Sequence, residues 1–381
     1  MNESSESKST SAAPNPKRTP LALEHEALGA RMVDFAGWWM PVQYLGLKEE
    51  HLACRSSVGL FDVSHMGEFR VKGPEALASL QWLTTNDVSK LSAGQAQYSL
   101  LPNAEGGLVD DLYVYCIQPG EEYLLCVNAA NVDKDFAHIL KNARGGNWVN
   151  ESADWGQIAV QGPKAPTLLE RLFPGFGAMA KNTHREFSFA GAQVRVATTG
   201  YTGEDGAEVF VPAAHTVALW RELMRVGQDL GVAPIGLGAR DTLRTEMKFS
   251  LYGHEIDDST NPYEAGLGWV VKPTSKDFLG RAPMLAVKEA GLKRKLIGLE
   301  LVERGIPRQG YKVLSSDGRE IGVCTSGTMS PSSGASIAIA YVTPEFATDG
   351  TEIAVDIRGK AVRAKVRPTP FVVPGSKRGT N

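Results

Sequence analysis

The sequence predicts an α+β protein: two related α/β-sheet domains arising from an internal duplication, followed by a C-terminal antiparallel β-barrel. Three observations predict it. Gly67–Ala76 (GEFRVKGPEA) matches Gly156–Ala165 (GQIAVQGPKA), with Gly73-Pro74 and Gly162-Pro163 in phase 89 residues apart. Strands and helices come in runs, not in the strict alternation of a doubly wound parallel sheet. From about Lys295 the helices stop, and six short, turn-separated strand patterns follow.

Taken in order, residues 1–20 read as a disordered tail, rich in Ser, Lys and Pro. They hold no apolar stretch for a secretory signal, and the early acids Glu3 and Glu6 argue against a transit peptide. The first domain is expected over 21–150, with a helix at Leu47–Ser56. In each copy of the repeat, alternating residues give a half-buried strand. Gly-Pro then stops the strand and sets up a helix, because Pro is tolerated in a helix's first turn. Those helices are expected at about Glu75–Thr84 and Lys164–Leu172. Strands at Tyr113–Ile117 and Tyr123–Val127 and a helix at Val132–Ala143 complete the first half. The second domain, 151–287, continues with strands at Gln193–Thr198 and Glu208–Val211 and helices at Thr216–Leu230 and Gly238–Met247. A Lys-rich linker, Lys288–Lys295, leads to the barrel over 295–373. Its strands are expected near Leu296–Leu301, Gly310–Leu314, Glu320–Ser326, Ala335–Val342, Thr351–Val355 and Lys360–Val366.

The 381 residues carry a formal net charge of −3, which excludes a nucleic-acid binder relying on a broad basic surface. No apolar run approaches the roughly 20 residues that span a membrane. Cys54, Cys116, Cys126 and Cys324 form no C-x-x-C pair and sit in or beside apolar sequence, so they read as buried, reduced thiols of a cytoplasmic protein. No metal site is expected. His65-Met66 could be a ligand pair or a turn entering a strand, but no second His stands nearby. Met66 reads better as an adaptable apolar wall.

Three motifs carry the chemistry. In Gly106-Gly107-Leu108-Val109-Asp110-Asp111 a Gly-Gly turn enters a strand headed by adjacent acids. Successive strand residues face opposite ways, so one of the pair can face a pocket; a solvated turn is the other reading. Asn128, ending the neighbouring strand, would lie near the acids if the two strands pair antiparallel. In Gly200–Glu208 a Gly-rich turn leads to Glu208 at a strand mouth. A carboxylate there can accept two N–H bonds from a neutral ring, or the segment is a hairpin with solvated acids. In Gly236–Glu246 a Gly-rich stretch opens a helix with Arg240 in its first turn. Arg240 either holds an anion bidentately or pairs with Asp241 or Glu246. Thr325–Pro331 reads as a structural turn between barrel strands.

Together, Phe61–Gly67, Gly106–Asp111, Asn128–Asn131, Gly200–Glu208, Gly238–Glu246 and Thr325–Pro331 resemble the aminomethyltransferase (T-protein) family of the glycine cleavage system, over about Pro20–Phe371. The resemblance implies three domains around a central folate pocket. It implies tetrahydrofolate as co-substrate and a lipoylated H-protein as partner, with the aminomethyl carbon passed to the folate and ammonia released. It assigns Asp111 as the catalytic acid and Glu208 as the acid that holds the pterin. Met66, Tyr98, Tyr115, Asn128, Arg240 and Trp269 match pocket positions. Thr199 stands where the family usually has Arg, Phe249 where a Tyr is expected, and Arg378 is a terminal candidate for the pocket. Two rival classes share the fold. One is a folate-binding iron–sulfur assembly or repair protein, whose Cys-bearing signature is missing from Lys248–Glu255. The other is the folate half of a dimethylglycine or sarcosine oxidoreductase, whose dinucleotide fingerprint is missing.

Overall fold

The computed structural model describes residues 15–377. Residues 1–14 and Arg378 lie outside the described residues. The disorder expected over 1–20 does not extend to Lys17–Arg18, which adds a parallel strand to Trp38–Gln43. Thr19 then anchors the chain by donating to Asp62 Oδ2 at 2.6 Å.

The duplication is visible in the sheets. The first has the order Ala96–Pro102, Leu108–Gln118, Glu122–Val127, Gly67–Lys72, Asn147–Asn150. The second runs His184–Phe189, Ala192–Ala197, Gly206–Pro212, Trp155–Gln161, Val58–Asp62, Val232–Pro234. The same order recurs, except that Val58–Asp62, contributed from earlier in the chain, is inserted next to the repeat strand. Each repeat strand ends at a left-handed glycine, Gly73 at φ 109° and Gly162 at φ 134°, a turn that a side chain would strain. Helices Ala76–Leu83 and Ala165–Leu172 follow at matching places.

Alternation decides which face does what. Val209 and Val211 pack with Leu168, Leu169, Leu219 and Trp220 of the second domain's helices. Val114, Leu112 and Leu125 pack with Leu80, Leu83 and Ile139 of the first. The opposite faces of the two sheets meet each other, Tyr115, Leu124 and Cys126 against Ala197 and Phe210. Residues 111, 113 and 115 on one strand and 208 and 210 on another therefore look into the space between the sheets.

The barrel closes in the order Lys295–Leu301, Ser336–Val342, Glu320–Met329, Lys312–Leu314, Glu352–Ile357, Lys360–Arg367. It is joined to the first domain by residues 252–284, whose Ile256, Val270, Phe278 and Met284 pack with Leu100, Leu108, Ile339 and Tyr341.

Three element expectations need correction. Thr325–Pro331 is not a turn: Glu320–Met329 is one strand, with an irregular register between Cys324 and Ser326. Its Gly, Ser and Thr composition imitates a loop. The hydroxyls are instead satisfied inward, Thr325 donating to Glu255 Oε1 at 2.6 Å and Ser326 accepting from Arg244 at 2.7 Å. The Lys288–Lys295 linker begins inside a helix, Arg281–Glu289. The helix expected to reach Leu230 stops at Val226, before Gly227.

Candidate functional site

Between the facing sheets lies a cavity of about 1290 Å³. Asp111, Met66, Tyr98, Tyr115, Asn128, Glu208, Arg240 and Trp269 all line it, as do Thr199 and Phe249. The Gly-Gly turn positions the acid pair. Leu108 donates its N–H to Asp257 O, and a Cβ on Gly107 would fall 1.8 Å from Asp258 O, so only glycine permits that approach.

Asp111 faces the cavity, and Asp110, fully buried, faces away from it. Tyr113 pairs antiparallel with Cys126, which brings Asn128 beside both acids. Its side-chain amide donates to Asp110 Oδ1 and Asp111 Oδ1, each at 2.8 Å. Asp110 also accepts from the Asn128 backbone at 2.9 Å and from Asn131 at 2.8 Å. Asp111 Oδ2 accepts from the Tyr98 hydroxyl at 2.8 Å. No cation pairs with Asp111 among the described residues. Burial, and then the negative Asp110, push its proton affinity up, to about 7. Behind them Asp135 is pushed to about 11 by burial and by Asp110, so it stays neutral.

Glu208 sits on the opposite wall and accepts from Thr199 Oγ1 at 2.5 Å. Burial raises its proton affinity, with Thr199 and Arg240 opposing the rise. Thr199 Oγ1 also lies 3.4 Å from the Tyr115 hydroxyl, so the residue standing in place of the expected Arg orients the acid without neutralising it. Of the two readings of Arg240, the salt bridge is absent: Asp241 pairs with Arg244 at 2.7 Å, and Glu246 with Arg55 at 2.9 Å. The Arg240 guanidinium lies over the Tyr201 ring, 4.8 Å from its centroid, and Tyr201 stacks on Phe249. Trp269, 62% exposed, stacks on Tyr98 at 5.9 Å and marks the rim. Burial holds His65 neutral, near 4. No group of three or more His, Cys, Asp and Glu able to hold a metal is present among the described residues.

The site thus offers two carboxylates, Asp111 and Glu208, in no salt bridge among the described residues, several aromatic faces, and two guanidinium groups, of which Arg244 is paired with Asp241 and Glu255. That set suits a flat polar ring with N–H donors and a reacting centre that becomes positive.

Comparison with known proteins shows the family. Residues 21–275 match the GCVT N-terminal domain, and residues 294–372 match the glycine cleavage T-protein C-terminal barrel domain. The chain belongs to the glycine cleavage T-protein family. Its members are tetrahydrofolate-dependent aminomethyltransferases. The aminomethyltransferase of Bdellovibrio bacteriovorus is 61% identical over 357 residues, covering 93% of this chain and 99% of that one. The aminomethyltransferase of Bacteroides thetaiotaomicron is 48% identical, with the same coverage, 93% and 99%. The crystal structure of glycine cleavage system aminomethyltransferase T from Bartonella henselae superposes with a TM-score of 0.88 at 35% identity, over 93% of this chain and 98% of that one.

Within this T-protein fold, sequence reasoning missed part of the lining. Val33, Phe35 and Val42 come from the hairpin Arg31–Phe35 and Trp38–Gln43, and Lys248 follows the Arg240 helix. Consecutive aromatic and apolar residues at 38–42 could have marked the hairpin; nothing in the spacing marked Lys248.

Proposed function

We propose that the chain passes the methylene of an aminomethyl group, carried on the dihydrolipoyl arm of an H-protein, to tetrahydrofolate. The carbon–sulfur and carbon–nitrogen bonds break, the dithiol and ammonia leave, and the carbon is bridged between two folate nitrogens. Tetrahydrofolate supplies those nitrogens. The observation that carries the reading is that Asp111 and Glu208, in no salt bridge among the described residues, face one aromatic-lined cavity from opposite sheets.

In this reading Glu208, oriented by Thr199, accepts ring N–H bonds. Asp111 is held in place by Tyr98 and Asn128. As an anion it stabilises the positive charge that develops as the amine departs, a preorganised electrostatic effect. Tyr98, Trp269 and Met66 flank the ring and keep water from the reacting carbon. The four free, buried thiols support a reducing compartment, the cytosol.

The test loads a lipoylated H-protein with a ¹³C-labelled aminomethyl group and follows the label by NMR after the chain and tetrahydrofolate are added. Label in methylenetetrahydrofolate is expected. Label that stays on the carrier overturns the reading.

A further inference from the structure

Lys248 occupies a position made for glycine. Helix Leu237–Glu246 ends in two capping bonds: Lys248 N–H donates to Thr245 O at 3.0 Å, and Phe249 N–H to Arg244 O at 3.0 Å. That pattern places Lys248 at the left-handed residue after the helix, where glycine is the usual occupant. Its φ is 56°, so a side-chain-bearing residue holds a strained conformation there. A strained residue at a cavity wall makes its side chain a candidate for a role there.

The side chain lines the cavity and, among the described residues, takes part in no hydrogen bond or ion pair. The carboxylate that attracts it, Glu255, is already occupied by Arg244 at 2.8 Å, Leu251 N–H at 2.9 Å and Thr325 at 2.6 Å. Lys248 Nζ lies 3.9 Å from where a Cβ on Gly266 would stand. Gly266 and Trp269 are exposed, so the ammonium sits at the rim. Burial pulls its proton affinity down, and Glu255 opposes this.

We propose that Lys248 is a specificity-determining residue that binds the glutamyl carboxylates of reduced folate at the rim of the cavity. The proposal rests on the folate reading above. A ring held inside by Glu208 leaves its acidic tail to emerge past exposed Trp269 and Gly266, where Lys248 waits. The ammonium forms a charge-assisted bond there, partly shielded from water.

Calorimetry with two probes tests it: tetrahydrofolate, and tetrahydropteroate, which keeps the ring and benzoyl unit but has no glutamyl group. Lys248→Met removes the charge and keeps the alkyl stem; Lys248→Gly removes charge and strain together; Lys248→Arg keeps the charge. Both neutral variants should bind tetrahydrofolate about tenfold more weakly and tetrahydropteroate as before. Lys248→Arg should retain most of the preference. Lys248→Gly should melt no lower than the unsubstituted chain, which shows that its loss is not a folding defect. Equal affinities across the series, or an equal loss for both probes, overturn the proposal alone. An unsubstituted chain that binds neither probe overturns the folate reading, and this proposal with it.

Discussion

Asp110 and Asp111 share a strand and a partner amide yet face opposite ways, and that divides their roles. Asp110 accepts three bonds from Asn128 and Asn131 and holds the turn that orients Asn128. Asp111 is left for the cavity. Asp111→Asn should fold, bind tetrahydrofolate within roughly a factor of ten, and lose roughly 10²–10³ in turnover. Asp110→Asn should lose far less turnover, and the reverse ranking moves the catalytic assignment by one residue. Burial and Asp110 push the Asp111 proton affinity up to about 7; for a group proposed to act as an anion, kcat/KM should then rise with pH through about 7. Removing the Asp110 charge should move that rise to lower pH; a profile flat between pH 5 and 8 contradicts the role. Glu208→Ala leaves ring N–H donors unpaired and should weaken folate binding by more than about 1.5 kcal/mol. Unchanged affinity by calorimetry takes Glu208 out of the site.

At the scale of elements, Glu246 ties three pieces together. From the end of helix Leu237–Glu246 it pairs with Arg55 at 2.9 Å and His51 at 3.2 Å on helix Leu47–Ser56. It also accepts from Ser330 at 2.5 Å and Ser332 at 2.9 Å at the barrel. Its proton affinity is held down to about 2; burial opposes this, and His51, Ser330 and Arg55 outweigh it. A depressed carboxyl contributes stability above its unfolded value, lost as pH falls toward about 2. Glu246→Gln leaves Arg55 short of a partner and should cost about 3–5 kcal/mol in denaturant unfolding. A change within about 0.5 kcal/mol would mean the network does not hold the barrel. The elements that sequence reasoning found were those with a strong period and a marked start: the Gly-Pro helices and the alternating barrel strands. Val58–Asp62 went unseen because all five residues are buried, and a short run with no polar face has no period to read. The turns marked the acid pair and Glu208 as candidates, but the choice of Asp111 over Asp110 and the pterin-holding role of Glu208 came from the family resemblance; the structure places both side chains on the cavity. Thr199 was noticed as a departure, but its grip on Glu208 depends on a neighbouring strand. Lys248 was invisible because its interest lies in a backbone angle.

The whole molecule is a device for making two sheets face each other. Duplication supplies two similar sheets, helices cover their outer faces, and their inner faces are left to form one cavity, while the barrel and residues 252–284 hold the arrangement. In sequence, Lys288, Lys293, Arg294 and Lys295 before the barrel make either a solvated linker or a docking surface for an acidic carrier, and the structure narrows the second reading. Lys288 lies over the Tyr263 ring at 4.6 Å and Arg294 pairs with Glu264 at 2.9 Å, which leaves Lys293 and Lys295 to face an acidic carrier. If they dock the H-protein, turnover with the carrier should fall as salt rises from about 0.05 to 0.5 M; a flat response removes them from the interface. The central claim is that both sheets serve one transfer, from carrier to folate. It is tested most directly by ammonia release from aminomethyl-loaded H-protein, in a single turnover, with and without tetrahydrofolate. The account predicts rapid release that requires tetrahydrofolate and is lost in Asp111→Asn. Release at the same rate without tetrahydrofolate would contradict it.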